Sequence, residues 1–154
     1  MLCMPARSGE DVSGLALVLM LAMRMAQAAG DPQASVQCPP EARAAETCVV
    51  DADTFVGWRS FALNCQVCHG GSGLGSTFAP NLLDRLNQRV DYARFLLVVE
   101  NGYTGHVGVM PGWRAKSDVM ANRDNLYRYL RARADERLPP GRPQKGPPAA
   151  SPAP

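Results

Sequence analysis

Apolar positions recur with a helical period in three stretches of this chain. In "DADTFVGWRSFALN", residues 51–64, Phe55, Trp58 and Ala62 fall on one side, with Gly57 and Phe61 close by. That spacing predicts an amphipathic helix, and Asp51 or Asp53 can cap its start and favour the positive end of its dipole. A second helix is predicted over Tyr92–Asn101, with Tyr92, Phe95, Leu96 and Val99 on one face and Gly102 as its stop. A third runs from about Asn122 to Asp135, where Leu126, Tyr129 and Leu130 make a narrow apolar stripe. Between them lie two glycine-rich loops, Gly70–Pro80 and "YTGHVGVMPGW" (103–113). Neither strand alternation nor an internal repeat stands out. The pattern predicts a small all-α domain over residues 51–137.

The flanks carry no such period. Leu15–Met23 is a nine-residue apolar run, too short to span a bilayer but suited to a signal segment, and Ala26-Gln27-Ala28 follows as a cleavage site. Residues 1–28 are therefore expected to be removed near Ala28, placing the rest in the periplasm. No other apolar stretch is long enough for stable membrane insertion. Residues 29–50, with Pro32, Pro39 and Pro40, read as an extended N-terminal arm. Residues 138–154, dominated by proline and glycine, read as a disordered tail.

Composition adds one constraint. Aromatic residues make up only 6%, while glycine (14) and proline (13) are frequent, so side chains alone give a modest core. A net charge of +2 is too small to argue for a nucleic-acid partner. Charge is uneven, however: residues 114–154 hold nine basic and four acidic residues, and 29–58 hold one basic and five acidic. A basic docking face and a solvated helix face, with Arg128, Arg131, Arg133 and Arg137 balanced by nearby acids, both fit this pattern.

Cysteine placement carries the chemistry. Loss of residues 1–28 removes Cys3 and leaves Cys38, Cys48, Cys65 and Cys68. Cys38 and Cys48 flank the Pro-Pro turn, and in an oxidising compartment they are expected to bridge. Cys65 and Cys68 belong to "CQVCH", ending in His69. A zinc site would need a second ligand pair, which the sequence lacks. A redox dithiol wants its first cysteine at a helix N-terminus, whereas a predicted helix precedes Cys65. The third reading is attachment of a c-type haem, with Cys65 and Cys68 as thioether anchors and His69 as the proximal iron ligand. Forty-one residues beyond His69, Met110 sits in "GVMPGW" as a soft distal ligand suited to electron transfer. His106 is its rival, and a core gap-filler is the plainer reading of Met110.

These residues resemble those of class I cytochromes c over Asp51–Asp135. Gly57, Phe61 and Cys65 follow the family's four-residue spacing on the N-terminal helix. Leu126, Tyr129 and Leu130 match the C-terminal helix that crosses it. Pro80 in "FAPNLL" matches the proline whose carbonyl accepts the proximal histidine's Nδ1 proton. Within the class, "NLYRYLRARADERLPPGRP" and "MPGW", with Trp113, resemble the cytochrome cL-like acceptors of periplasmic quinoprotein (PQQ) alcohol and methanol dehydrogenases, the lanthanide type included. "ERLPP" and the Cys38–Cys48 arm depart from that pattern.

The resemblance implies a monomeric, single-haem electron carrier and not an enzyme, since His69 and Met110 fill both axial positions. It would take electrons from such a dehydrogenase and pass them to another cytochrome or a terminal oxidase. The alternative is a haem-bearing subunit of a fixed redox complex, for example in sulfur-compound oxidation. A gas-sensing haem would require Met110 to be displaceable.

Overall fold

The computed structural model describes residues 30–106 and 108–146; the expected export segment and its cleavage site lie outside them. Among the described residues six helices carry the fold: α1 (Ala52–Asn64), α2 (Gln66–His69), α3 (Leu82–Gln88), α4 (Tyr92–Asn101), α5 (Ser117–Ala121) and α6 (Arg123–Ala134). Of the two candidate caps of α1, Asp51 serves. Its carboxylate accepts from the Thr54 amide (2.9 Å) and hydroxyl (2.7 Å) and from the Ser35 amide (2.6 Å). Three donors satisfy a carboxylate that is itself buried.

α1 and α6 pack directly on each other at Gly57. A Cβ placed there would sit 1.8 Å from the Asn125 carbonyl oxygen, so only glycine permits the approach. Phe61 and Tyr129, both fully buried, fill the space beside the crossing with ring centroids 5.6 Å apart. Burying each such ring contributes about 2 kcal/mol or more. Phe95 and Tyr92 meet Tyr127 at 5.3 and 4.9 Å, which seats α4 against α6. The three expected helices thus form, and the first and third cross as expected.

Three helices were not anticipated: the single turn of α2, α3 and α5. α3 starts at Asn81, whose side chain accepts from Leu83 N, and it buries Leu86. α5 is a five-residue segment that buries Val119.

The flanks correct the sequence reading most. The tail expected to be disordered is built into the fold as far as Gly146: Leu138 and Pro143 are fully buried. Strand β5 (Gln144–Lys145) runs parallel to β2 (Val49–Val50), which pairs antiparallel with β1 (Val36–Gln37). Two-residue strands held by backbone hydrogen bonds leave no alternation to read. The arm contributes Ala34, Ala45, Cys48 and Val50 to the core. Cys38 and Cys48 lie with sulfurs at bonding distance, 2.05 Å, and Cα atoms 4.3 Å apart. Among the described residues, the chain from Asp31 onward forms one compact unit that takes in both the arm and the packed part of the tail. Residues 147–154 lie outside the described chain.

Because arm and tail cover it, α6 is buried over more than its apolar stripe. Tyr127, Ala132, Arg133 and Ala134 join Leu126, Tyr129 and Leu130 in the interior. The C-terminal arginines are correspondingly engaged. Arg131 pairs with Asp135 at 2.5 Å, Arg137 donates to Ala34 O at 2.9 Å, and Arg128 donates to Gln33 O at 2.5 Å. Arg142 lies 5.4 Å from the Trp58 ring and 6.0 Å from that of Phe55. Arg128, Arg137 and Arg142 thus hold the arm and tail in place, while Arg131 is tied to Asp135, Leu86 and Asn87.

Candidate functional site

α1 ends at Asn64, and Cys65 turns the chain into α2, one helical turn that carries Cys68 and His69. Cys65 is half-buried, Cys68 is exposed, and they are not bonded to each other. Burial, then the neighbouring Cys68, push the Cys65 thiol up to about 11, with Lys116 opposing. A redox-active dithiol needs the opposite shift, so the structure speaks against that reading.

His69 is buried at 7% exposure, and its Nδ1 faces the Pro80 carbonyl oxygen at 3.4 Å. A carbonyl can only accept, so Nδ1 carries the proton and Nε2 keeps a lone pair. Burial lowers the pKa of the imidazole, with the Pro80 contact opposing, which favours the neutral ring. The backbone around it closes as a small loop: Gly75 N donates to His69 O at 2.8 Å, and the Ser76 hydroxyl donates to Cys68 O. Gly75 adopts φ 89°, and a Cβ there would lie 2.7 Å from Asn81 N. At Gly70 the obstacle is the Gly75 carbonyl, 2.1 Å from a built Cβ. These two glycines are required by the loop folding on itself.

Met110 comes from a different part of the fold. Strands β3 (Tyr103–Thr104) and β4 (Val109–Met110) form a hairpin in which Tyr103 pairs with Met110. Gly102, at φ 80°, brings the end of α4 against the Met110 carbonyl, 2.5 Å from a built Cβ. Trp113 N donates to Val99 O at 2.9 Å, and Trp113 packs half-buried against the core. Met110 is half-buried, whereas His106 is exposed in the turn of the hairpin. The two loops approach each other where Phe78 O stands 3.8 Å from a Cβ built on Gly108.

Sequence reasoning missed the cation at the Cys65 edge. Lys116 donates to Asn64 Oδ1 at 2.6 Å and lies 5.5 Å from the centre of the Trp113 ring. A single lysine far along the chain gives no signal of this placement. Large apolar side chains also face solvent near the motif and on the hairpin: Val67, Leu74, Phe78 and Val109 are all more than half exposed. Such side chains mark a ligand border or a contact surface when they gather about polar groups.

Two helices crossing beside a C-x-x-C-H turn, with a methionine hairpin from the other half of the chain, define a small c-type cytochrome. Comparison with known proteins agrees. Residues 52–130 match the family described as "Cytochrome C oxidase, cbb3-type, subunit III". Cytochrome c-553I of Paracoccus denitrificans is 38% identical over 110 residues, covering 69% of this chain and 48% of that protein. Cytochrome c-555 of Methylococcus capsulatus is 34% identical over 97 residues, covering 62% of this chain and 75% of the relative. The crystal structure of the c-type cytochrome XoxG from Methylobacterium extorquens AM1 superposes with a TM-score of 0.60 at 39% identity, covering 64% of this chain and 61% of that one. The chain thus spans about half of the first relative and three quarters of the second. It belongs to the c-type cytochrome family, as a single-haem protein of class I, and its cofactor is one covalent haem c.

The residues present fit that group. Haem c calls for two unbridged thiols, an imidazole with one nitrogen left for iron, and an apolar border. Cys65 with Cys68, His69 Nε2, and Leu74 with Phe78 supply these in one region of the fold.

Proposed function

We propose that this chain is a periplasmic electron carrier whose haem is anchored by Cys65 and Cys68 and ligated by His69 Nε2 and the Met110 thioether. Haem supplies one-electron Fe(III)/Fe(II) chemistry; the chain binds it, sets its ligands and limits access of water. The observation that carries the reading is the buried His69 ring, with Nδ1 committed to Pro80 O at 3.4 Å and Nε2 left over. Such a contact fixes the tautomer and strengthens the donor nitrogen. Met110 is favoured over His106 because it is half-buried on a strand held against α4, while His106 is exposed in the turn. With both axial positions taken, no open site remains for substrate, which accords with a carrier.

Export agrees with haem attachment and with a Cys38–Cys48 bridge, which closes a short loop and on the chain-entropy argument contributes about 3 kcal/mol. Among the described residues no helix is long and apolar enough to cross a membrane. The donor we propose is a quinoprotein alcohol or methanol dehydrogenase, on the strength of the "MPGW" and C-terminal resemblance. The acceptor is another cytochrome or a terminal oxidase. A second reading, a haem-bearing subunit of a fixed complex, draws on the family's description and on FixP of Bradyrhizobium sp., a "Cbb3-type cytochrome c oxidase subunit". FixP is 36% identical over 69 residues, and the chain covers 23% of its length.

The two readings separate in one experiment. As a carrier, the purified holoprotein is a monomer that a quinoprotein alcohol dehydrogenase and its substrate reduce rapidly at low salt. With Lys116 at the Cys65 edge, the rate falls about tenfold on going to physiological ionic strength. No reduction at low salt would contradict the proposed donor, and stoichiometric co-purification with another redox subunit would favour the fixed complex.

A further inference from the structure

Among the described residues, Arg133 is the one buried arginine. It is 6% exposed on α6 and donates through Nη1 to Leu138 O at 2.5 Å and through Nε to Ser72 O at 3.4 Å. Ser72 lies three residues beyond His69, in the loop that closes on the His69 carbonyl. Both partners of the guanidinium are backbone carbonyls, and among the described residues no carboxylate lies within ion-pair distance of it. The nearest titratable side chain is Tyr129, whose buried hydroxyl faces Ser72 and Arg133 without a well-formed hydrogen bond. Burial raises its pKa, so the phenol stays neutral and offers no countercharge.

A guanidinium cannot shed its proton under ordinary conditions, so this is a permanent positive charge in a dry place. Burying a charge without a counterion is costly, and carbonyl dipoles recover only part of the cost. As a mere clamp for the tail, a neutral donor would do the same work more cheaply. A fixed cation beside the proximal loop, by contrast, acts at low effective dielectric on any site whose charge changes there. Reduction removes one positive charge from the iron.

We propose that Arg133 sets the potential of the haem site, favouring the ferrous state by its buried positive charge. The inference rests on the reading of His69 as proximal ligand. It assigns Arg133 a positioning role, because the side chain acts through the loop and its field and touches no reacting atom.

Potentiometric titration of the full-length holoprotein, followed optically, tests it. Arg133→Gln keeps hydrogen-bonding capacity and loses the charge. At a fixed poise its ratio of oxidised to reduced protein is expected to rise about tenfold, equivalent to about 59 mV for one electron. Arg133→Lys keeps the charge and should stay near the wild-type ratio. Ser72→Asp gives an independent route: the φ of 58° at Ser72 suits aspartate, and its side chain, which takes the place of a hydroxyl accepting from Gly141 N at 3.2 Å beside Tyr129, would bring a carboxylate near Arg133 and offset the charge with α6 untouched. Its ratio should move the same way as that of Arg133→Gln. If Arg133→Gln fails to load haem, Ser72→Asp decides. A low-spin variant of either kind titrating at the wild-type potential would overturn the role of Arg133 and leave the axial assignment standing. A wild-type protein without a low-spin spectrum would instead remove the underlying reading of His69.

Discussion

His69→Ala loses the low-spin spectrum while the haem stays on the chain. Cys65 and Cys68 would hold the porphyrin covalently, so removal of the imidazole leaves the group in place with an altered iron. That separation of attachment from ligation is what makes the variant informative. His69 is buried with its Nδ1 facing Pro80 O, and the second of the two histidines, His106, is exposed in the turn of a different loop. Optical and electron-paramagnetic spectra of the purified variant should show essentially complete conversion to high-spin iron. Added imidazole, small enough to enter the space left by the side chain, should restore the low-spin form. Retention of the native spectrum would remove His69 from the iron.

Gly57→Val should be the most destabilising single substitution in the helical core. The first atom of the new side chain would lie 1.8 Å from Asn125 O and 2.4 Å from its carbonyl carbon, both backbone atoms that no rotamer change can move. α1 and α6 would have to separate, and the Phe61–Tyr129 contact beside them would open. Overpacking in a core costs about 1–3 kcal/mol when side chains can adjust. Here the obstacle is main chain, so a loss of about 4 kcal/mol or more is expected, a large fraction of the 5–15 kcal/mol typical of a domain. Chemical denaturation of the holoprotein measures it. A loss under about 1 kcal/mol would show that the helices do not meet closely at Gly57 in solution.

The parts of this fold legible in the sequence are those with a local signature. Asp51, the helical spacing through Phe61, and Gly102 after α4 each report on their own few residues. The anchoring motif is local as well, since Cys65, Cys68 and His69 lie within one turn. Met110 was legible as a soft ligand in a glycine-rich loop with His106 as its rival, whereas Pro80 needed the family resemblance, because nothing near it says what it faces.

What stayed hidden is long-range and made by the backbone. Gln144 and Lys145 pair with Val49 and Val50 across about a hundred positions, through amides and carbonyls that every sequence possesses. Proline and glycine around them suggested an unpacked tail, yet Pro143 is buried and Gly141, at φ 119°, turns the chain beneath Glu46. Arg133 is the sharpest case. On a helix with other arginines it reads as solvated, and only the returning tail encloses it. Part of the basic excess that suggested a docking face, Arg128, Arg137 and Arg142, is engaged by the arm and tail in the same way.

The proposed Met110 ligation tests the account most directly, because it would join the two halves of the chain at one iron. The oxidised holoprotein should show the near-infrared thioether-to-Fe(III) charge-transfer band, present in His106→Ala and absent in Met110→Ala, whose potential should also fall. A band that survives in Met110→Ala, or low-spin ligation lost only in His106→Ala, would contradict it.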